Sequence, residues 1–253
     1  MTTTPTPRDV NRKLEELRGE VEREATARKR RRGRGPRRLR LPRDPQAVAR
    51  RAALVTAKAL AVVVFPFVVL VRVAVSAYTE GHPTWLALTA AASVAVGVVT
   101  LYAAWVSEKL TGRARLADLA KKVALPLVAA YTLYALLYVS AANAKTDEVR
   151  AEYLRLHPIL RLAVGTVMLA DRDLLITDMA RRSADYPRMG LKVFERSRHL
   201  RQADGFSHAL DIRTEGRGEI RNRLTQLYFV AMGFETLRHG GTGDHLHVEL
   251  RRR

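Results

Sequence analysis

Three short segments near the C-terminal end of the chain carry side chains that suit a metal centre. They are Ser197-Arg198-His199, then Ala209-Leu210-Asp211-Ile212, then His245-Leu246-His247-Val248. A catalytic zinc ion takes three protein ligands, often imidazole or carboxylate groups, and keeps a fourth position open for water. If the last segment is a strand, both histidines point to the same face, because side chains alternate. One can then bind the metal while the other acts on the bound water or the substrate.

An α+β domain over residues 144–253 is predicted to hold these segments. Apolar residues at helical spacing over 146–169 favour a long helix, and 219–232 is an amphipathic helix that ends at Gly233. Shorter segments predict a helix over 183–189 and strands over 173–177, 191–194, 206–213, 234–238 and 245–250. The pattern is that of a small, mostly antiparallel sheet with flanking helices.

Residues 52–143 precede this domain and are mostly apolar. Segments 85–106 and 123–142 contain no charged residue over about the 20 residues that a bilayer requires. Segment 52–78 contains Lys58, Pro66 and Arg72, but the two basic side chains can reach the headgroups from their positions. We therefore predict three transmembrane helices, of which the first has the weakest signal. An interfacial or re-entrant helix is its alternative.

The distribution of basic residues predicts the orientation. Residues 1–51 hold 17 Lys and Arg against 7 Asp and Glu, and the loop between the second and third segments is also basic. Positive segments stay in the cytoplasm. With three spans, the N-terminus is cytoplasmic and the C-terminal domain is extracytoplasmic or periplasmic, on the inner membrane of a bacterium; with two spans, the domain would be inside.

The net charge of +19 is concentrated in the tail 1–51, because 144–253 carries 20 basic against 15 acidic residues. The Arg-rich segment 29–43 is predicted to be disordered and to bind anionic lipid. Nucleic-acid binding is disfavoured, since no aromatic residue stands among these arginines to stack on bases. The absence of cysteine excludes disulfides, thiolate ligands and cysteine nucleophiles.

The C-terminal segments resemble a known superfamily. Ser197-Arg198-His199, Gly205, Ala209-Leu210-Asp211-Ile212 and His245-Leu246-His247-Val248 are similar to the motifs of the LAS zinc peptidases, which are D-Ala-D-Ala carboxypeptidases and murein endopeptidases. Segment 176–181 resembles the family's Thr-Ser-x-x-Arg segment, with Asp178 in place of the Ser. The resemblance implies zinc held by His199, Asp211 and His247, His245 as catalytic base or transition-state stabiliser, and Arg181 on a substrate carboxylate.

One spacing departs from the family pattern. The family's first His precedes the Asp by seven positions, whereas His199 precedes Asp211 by twelve, and Asp204 stands at the family position. Either residues 200–204 are an insertion, or another residue is the first ligand. On a regular strand His208 and Asp211 would face opposite sides, which disfavours His208 unless a bulge intervenes. The candidates rank His199, then His208, then Asp204.

These patterns predict a membrane-anchored zinc peptidase that acts on peptidoglycan peptides outside the cytoplasmic membrane. The alternative is a catalytically inactive relative that binds peptidoglycan or assembles a membrane complex, which the abnormal spacing favours. A two-histidine phosphoesterase ranks low, because it requires a pair of His-x-Thr/Ser motifs.

Overall fold

A computed structural model of the chain describes residues 15, 17–23, 45–188, 190, 192, 194–241 and 243–252. The chain divides into two compact units, Met1–Val55 and Thr56–Arg253. The C-terminal domain and the predicted membrane helices belong to the second unit, apart from residues 52–55 of the first helix. The Arg-rich segment 29–43 lies outside the described residues, as do two positions of the predicted strand 191–194.

Three helices are long and apolar enough to cross a bilayer, as the sequence predicts. Helix α1 spans Pro45–Thr79, α2 spans Thr84–Thr111, and α3 spans Leu116–Leu137. Pro66 lies inside α1. Membrane helices tolerate such a proline because neighbouring groups satisfy the carbonyl that loses its partner. Helix α3 contains a π-helical turn at Ala120–Ala124, directly before Pro126.

Helix α3 is displaced toward the N-terminus relative to the predicted span 123–142. It begins at Leu116, because its first turns can keep Asp118 and Lys122 in contact with each other and with solvent. It ends at Leu137, where side chains of the C-terminal domain take up carbonyls that a helix end leaves free. The Tyr153 hydroxyl donates to the Ala135 carbonyl at 2.5 Å, and the Arg161 guanidinium donates to that of Leu136.

The prediction of one helix over 146–169 is wrong. The structure has a short helix α4 at Asp147–Ala151, a 3-10 turn at Tyr153–Arg155 and a second helix α5 at Pro158–Ala170. Proline disfavours helical backbone at the residue before it but suits the first helical position. His157 is accordingly non-helical, and its ring accepts a hydrogen bond from the Ile159 amide as the cap of α5.

The predicted α+β class is confirmed by a four-stranded antiparallel sheet with the order β1-β2-β4-β3. Its strands are β1 at Ile176–Asp178, β2 at Ala209–Arg213, β3 at Glu235–His239 and β4 at His245–Glu249. A short helix α6 lies at Asp185–Arg188, and the amphipathic helix α7 occupies Glu219–Met232, as predicted. Gly233 ends α7 with a φ of 98°, a left-handed conformation that glycine adopts at little cost.

The sheet has one apolar face and one polar face. Leu210, Ile212, Leu246 and Val248 alternate along β2 and β4, and all four are buried in the same core as residues of α5 and α7. Asp211 and His247 occupy the intervening positions and therefore point to the other face. Hydrophobic packing fixes which face of each strand points inward, and so it fixes where these polar residues stand.

The same core continues into the membrane-type helices. Gly165 of α5 lies so close to α3 that a β-carbon at this position would be 2.9 Å from the Ala135 side chain. Next to this contact, the Tyr131 and Thr166 hydroxyls form a 2.6 Å hydrogen bond. Helix α5 is therefore packed directly on α3, and the C-terminal domain is joined to the helices by side-chain contacts as well as by the chain.

Candidate metal centre

Two strand residues form the base of the candidate site. In the antiparallel pairing of β2 and β4, Asp211 stands directly opposite His247. Residues opposite each other in such a pair have neighbouring side chains. The Asp211 Oδ1 and His247 Nδ1 atoms are 2.8 Å apart. Strand pairing alone thus brings one carboxylate and one imidazole together.

His199 completes the group from the irregular segment between β1 and β2. Its backbone carbonyl accepts a hydrogen bond from the Arg181 amide, which ties this segment to the end of β1. The buried His199 ring reaches the strand pair, with its Nε2 atom 3.3 Å from Asp211 Oδ1 and 3.2 Å from His247 Nδ1. Residues 200–204 form a loop outside this group, so the twelve-residue separation in sequence does not prevent the contact. His199, Asp211 and His247 together form a group that could hold a metal ion.

Hydrogen bonds orient both histidines toward a common point. His199 Nδ1 lies 2.9 Å from the Met179 carbonyl oxygen, which can only accept, so this nitrogen carries a proton. His247 Nε2 lies 3.4 Å from a Glu249 carboxylate oxygen and His247 Nδ1 lies 2.8 Å from Asp211 Oδ1, so each ring nitrogen of His247 faces a carboxylate. His199 Nε2, His247 Nδ1 and Asp211 Oδ1 therefore face one another, and a cation at this point would take the place of the proton shared between His247 and Asp211.

Two of the three separations are those of a tetrahedral zinc site. With bond lengths of about 2.0–2.1 Å, two ligand atoms of a tetrahedral zinc are about 3.3 Å apart. The two distances from His199 Nε2, 3.2 and 3.3 Å, agree with this value, and that between Asp211 and His247 is 2.8 Å. The carbonyl behind His199 and the carboxylate behind His247 are the outer-shell partners that metal-binding imidazoles normally have. The residues therefore fit zinc in donor type and in two of the three separations.

The electrostatics of the site also favour a bound cation. Burial alone would raise the pKa of Asp211, but hydrogen bonds from His199 and His247 outweigh it and hold the pKa well below its usual range. Burial lowers the pKa of His247, but the hydrogen bond to Asp211 and the nearby Glu249 raise it overall. Asp211 is thus an ionised ligand, and its charge attracts a metal ion or a proton to His247.

Arg181 lies at the site but is already bound to two carboxylates. It donates to Asp178 at 2.5 Å and to Asp211 Oδ2 at 3.1 Å. The predicted role on a substrate carboxylate would require competition with both. In this structure Arg181 fixes the Asp211 carboxylate so that Oδ1 faces the histidines. The Asp178 carboxylate holds Arg181 in this position.

His245 stands beside the metal group with one ring nitrogen free. Its Nδ1 lies 2.7 Å from the Gly243 carbonyl and therefore carries the proton, which leaves the Nε2 lone pair available. That Nε2 is 3.9 Å from Asp211 Oδ2. The ring stacks on His239, with 4.7 Å between centroids. A partly exposed imidazole with a free Nε2 lone pair at this distance can accept a proton from a molecule bound at the site.

A cleft of about 810 Å³ opens on the polar face of the sheet. His247, Glu249 and His239 contribute to its wall, and Phe194 contributes an exposed aromatic ring. A volume of this size suits a small-molecule or short-peptide ligand. Of the metal group, His247 lines this cleft, whereas His199 and Asp211 are buried behind it.

The other two ligand candidates, His208 and Asp204, belong to a separate group with His157. His208 Nε2 is 2.8 Å from Asp204, and the His157 and His208 rings are 4.7 Å apart. His157 Nδ1 accepts from the Ile159 amide, so its proton is on Nε2, facing Thr84 and Asp204. A proton thus occupies the position that a metal would need, and burial lowers the pKa of His157 to about 3, which keeps the ring neutral. We assign this group a structural role.

Glu249 was not identified from the sequence as part of the site. Its carboxylate is nearly buried and orients His247. The His-x-Glu spacing on a strand contains this information, because residues two positions apart share a face. The Met179 carbonyl behind His199 left no such signal, since any residue type supplies a carbonyl.

Compared with protein-family models, curated proteins and solved structures, the chain gives no significant match. The case for a function therefore depends on the geometry above and on the motif resemblance.

Proposed function

We propose that this chain is a membrane-anchored, zinc-dependent peptidase that acts on peptidoglycan peptides outside the cytoplasmic membrane. The observation that carries the proposal is the convergence of three ligand atoms from His199, Asp211 and His247. These residues would hold the ion, and water would reach it from the cleft that His247 lines. A bound zinc ion would activate this water and polarise a peptide carbonyl.

The remaining residues have roles that follow from their contacts. His245 accepts a proton through Nε2 and returns it to the leaving amine. Arg181 and Asp178 fix the orientation of Asp211. Glu249 orients the His247 ring. The motif resemblance supplies the substrate class, and the charge pattern of the loops supplies the extracytoplasmic placement.

Metal analysis of the purified full-length chain tests the metal centre. We expect about one zinc per chain, lost in His199→Ala and His247→Ala. His208→Ala is the matched control, because it removes a buried imidazole that contacts Asp204 rather than the metal group, and it should retain zinc. Loss of zinc in His208→Ala with retention in His199→Ala would overturn the ligand assignment.

Hydrolysis tests the reaction. Muropeptides incubated with the zinc-loaded chain should be cleaved, as followed by mass spectrometry. His245→Gln should keep its zinc and lose about 10²–10⁴-fold in rate, the usual contribution of a general acid–base group. Stoichiometric zinc without any cleavage by the unaltered chain would instead identify a peptidase-like module that has lost its activity.

A further inference from the structure

Helix α7 has apolar residues on the side that faces away from the protein. Ile220, Leu224, Leu227 and Val230 are 78%, 61%, 62% and 51% exposed. The first three recur at intervals of four and three residues and so lie on one side of the helix, with Val230 beside them. We refer to these four residues as the apolar stripe of α7.

The opposite side of α7 is already used for the domain core. Phe229 and Met232 are buried there, and the Tyr228 hydroxyl donates to the Ala163 carbonyl of α5. A helix that is apolar on both sides normally has both sides covered. The stripe is too regular and too exposed to be scattered surface residues, and none of the described residues covers it.

The position of α7 relative to α1 indicates what this covering is. At the end of α7, a β-carbon on Gly233 would lie 3.1 Å from both the Arg72 guanidinium and the Val75 side chain of α1. The Arg72 cation thus stands at the C-terminal, negative end of the α7 dipole. Arg72 is also the residue at which the uncharged stretch of α1 ends, and an arginine in that position extends to the headgroup level. One end of α7 is therefore fixed at the level of a membrane surface.

The polar residues of α7 agree with this placement. Arg221 and Arg223 flank the stripe, one on each side, and both are exposed. Arg221 is paired with Asp171 and Asp173, and Arg223 with Glu219. Basic residues beside an apolar stripe are typical of helices that lie at a bilayer surface.

We propose that α7 is an interfacial helix whose apolar stripe is covered by the lipid bilayer at the end of α1 that bears Arg72. The polar face of the sheet, with the candidate metal centre, then lies on the opposite side of the sheet from this lipid contact. The proposal depends on membrane insertion of the three long helices and is independent of the metal centre and of the reaction.

Spin labels test the contact directly, because the chain contains no native cysteine. The full-length chain is reconstituted in lipid vesicles with one labelled cysteine, in Leu224→Cys or Leu227→Cys. Leu101→Cys, at an exposed position of α2, is the lipid-facing control, and Phe194→Cys, on the polar side of the sheet, is the water-facing control. Relaxation by apolar oxygen is compared with relaxation by a water-soluble nickel chelate.

We expect labels at Leu224 and Leu227 to respond more strongly to oxygen than to nickel, as at Leu101, and the label at Phe194 to show the reverse. A nickel response at the stripe equal to that of Phe194 would overturn the proposal. Dipolar broadening between labels on separate chains would also overturn it, because a second copy of the chain would then cover the stripe.

Discussion

The contact between α5 and α3 predicts a large effect of adding one methyl group. A β-carbon at Gly165 would lie 2.9 Å from that of Ala135, well inside the separation of about 3.5–4.0 Å at which two carbon atoms attract. Overpacking of this kind costs about 1–3 kcal/mol. Replacing a helical glycine by alanine otherwise gains about 0.5–1 kcal/mol. Gly165→Ala should therefore be destabilised relative to a helical Gly→Ala substitution that meets no neighbour.

Gly97 of α2 supplies that matched substitution, because a β-carbon there meets no atom within 4 Å. The difference in unfolding free energy between Gly165→Ala and Gly97→Ala isolates the packing cost, which we expect to be about 1–3 kcal/mol. For a chain of this size, the thermal midpoint in detergent should be lower for Gly165→Ala by about 2–4 °C per kcal/mol.

A double variant then tests whether the cost arises at this contact. Ala135→Gly removes the methyl group that Gly165→Ala would meet, so the two changes together should recover most of the lost midpoint. Residues in contact show such non-additivity, whereas distant ones do not. A Gly165→Ala midpoint equal to that of Gly97→Ala would show that α5 does not pack on α3, and the shared core would have to be abandoned.

Two further predictions concern the buried His157 and the orientation of the chain. Burial and the nearby His208 and Arg161 lower the pKa of His157 to about 3, against the opposing effect of Asp204. The folded chain therefore keeps this ring neutral, whereas the unfolded chain protonates it below the ordinary pKa of 6.5, and the free energy of unfolding should fall by about 2 kcal/mol between pH 7 and pH 5. In chemical unfolding experiments, the free energy of unfolding of His157→Asn should depend less on pH. If this dependence is unchanged, another group is responsible. A reporter that is active only in the periplasm should work when fused after Arg253 and fail when fused after Thr111; the inverse pattern would place the cleft in the cytoplasm and remove cell-wall substrates from its reach.

The elements that the sequence predicts well are those with a strong local signal. The span 85–106 lies inside α2, and α7 has the predicted bounds because the amphipathic pattern ends at Gly233. The sequence does not predict the interruption of the helix before Pro158, because the helical spacing of apolar residues over 146–169 is continuous across this proline. The structure shows that the preference of proline for a helix start decides the outcome there.

The site divides in the same way between local and long-range information. Once β2 and β4 pair, Asp211 and His247 must be neighbours. Because apolar and polar side chains alternate along both strands, both residues point away from the core. Choosing among His199, His208 and Asp204 depends instead on the path of the loop 197–208, which has no periodic pattern. In the structure, His208 directly precedes β2. Its ring contacts Tyr78 of α1, with 6.1 Å between the ring centroids.

The arrangement of layers gives a physical reason why the metal group is placed where it is. The apolar face of the sheet packs on α5 and α7, and α5 in turn packs on α3, so the sheet is held by the same core that holds the long helices. On the polar face, Asp211 and His247 are arranged by hydrogen bonds and leave the core undisturbed. A site built on two paired strands keeps its geometry better than one built on loops alone. The strands position two of the three ligand atoms, and the Arg181–His199 backbone bond anchors the third to the end of β1. Substitutions in the core should therefore affect stability before they affect metal binding, whereas substitutions at Asp178 or Glu249 should affect metal binding first.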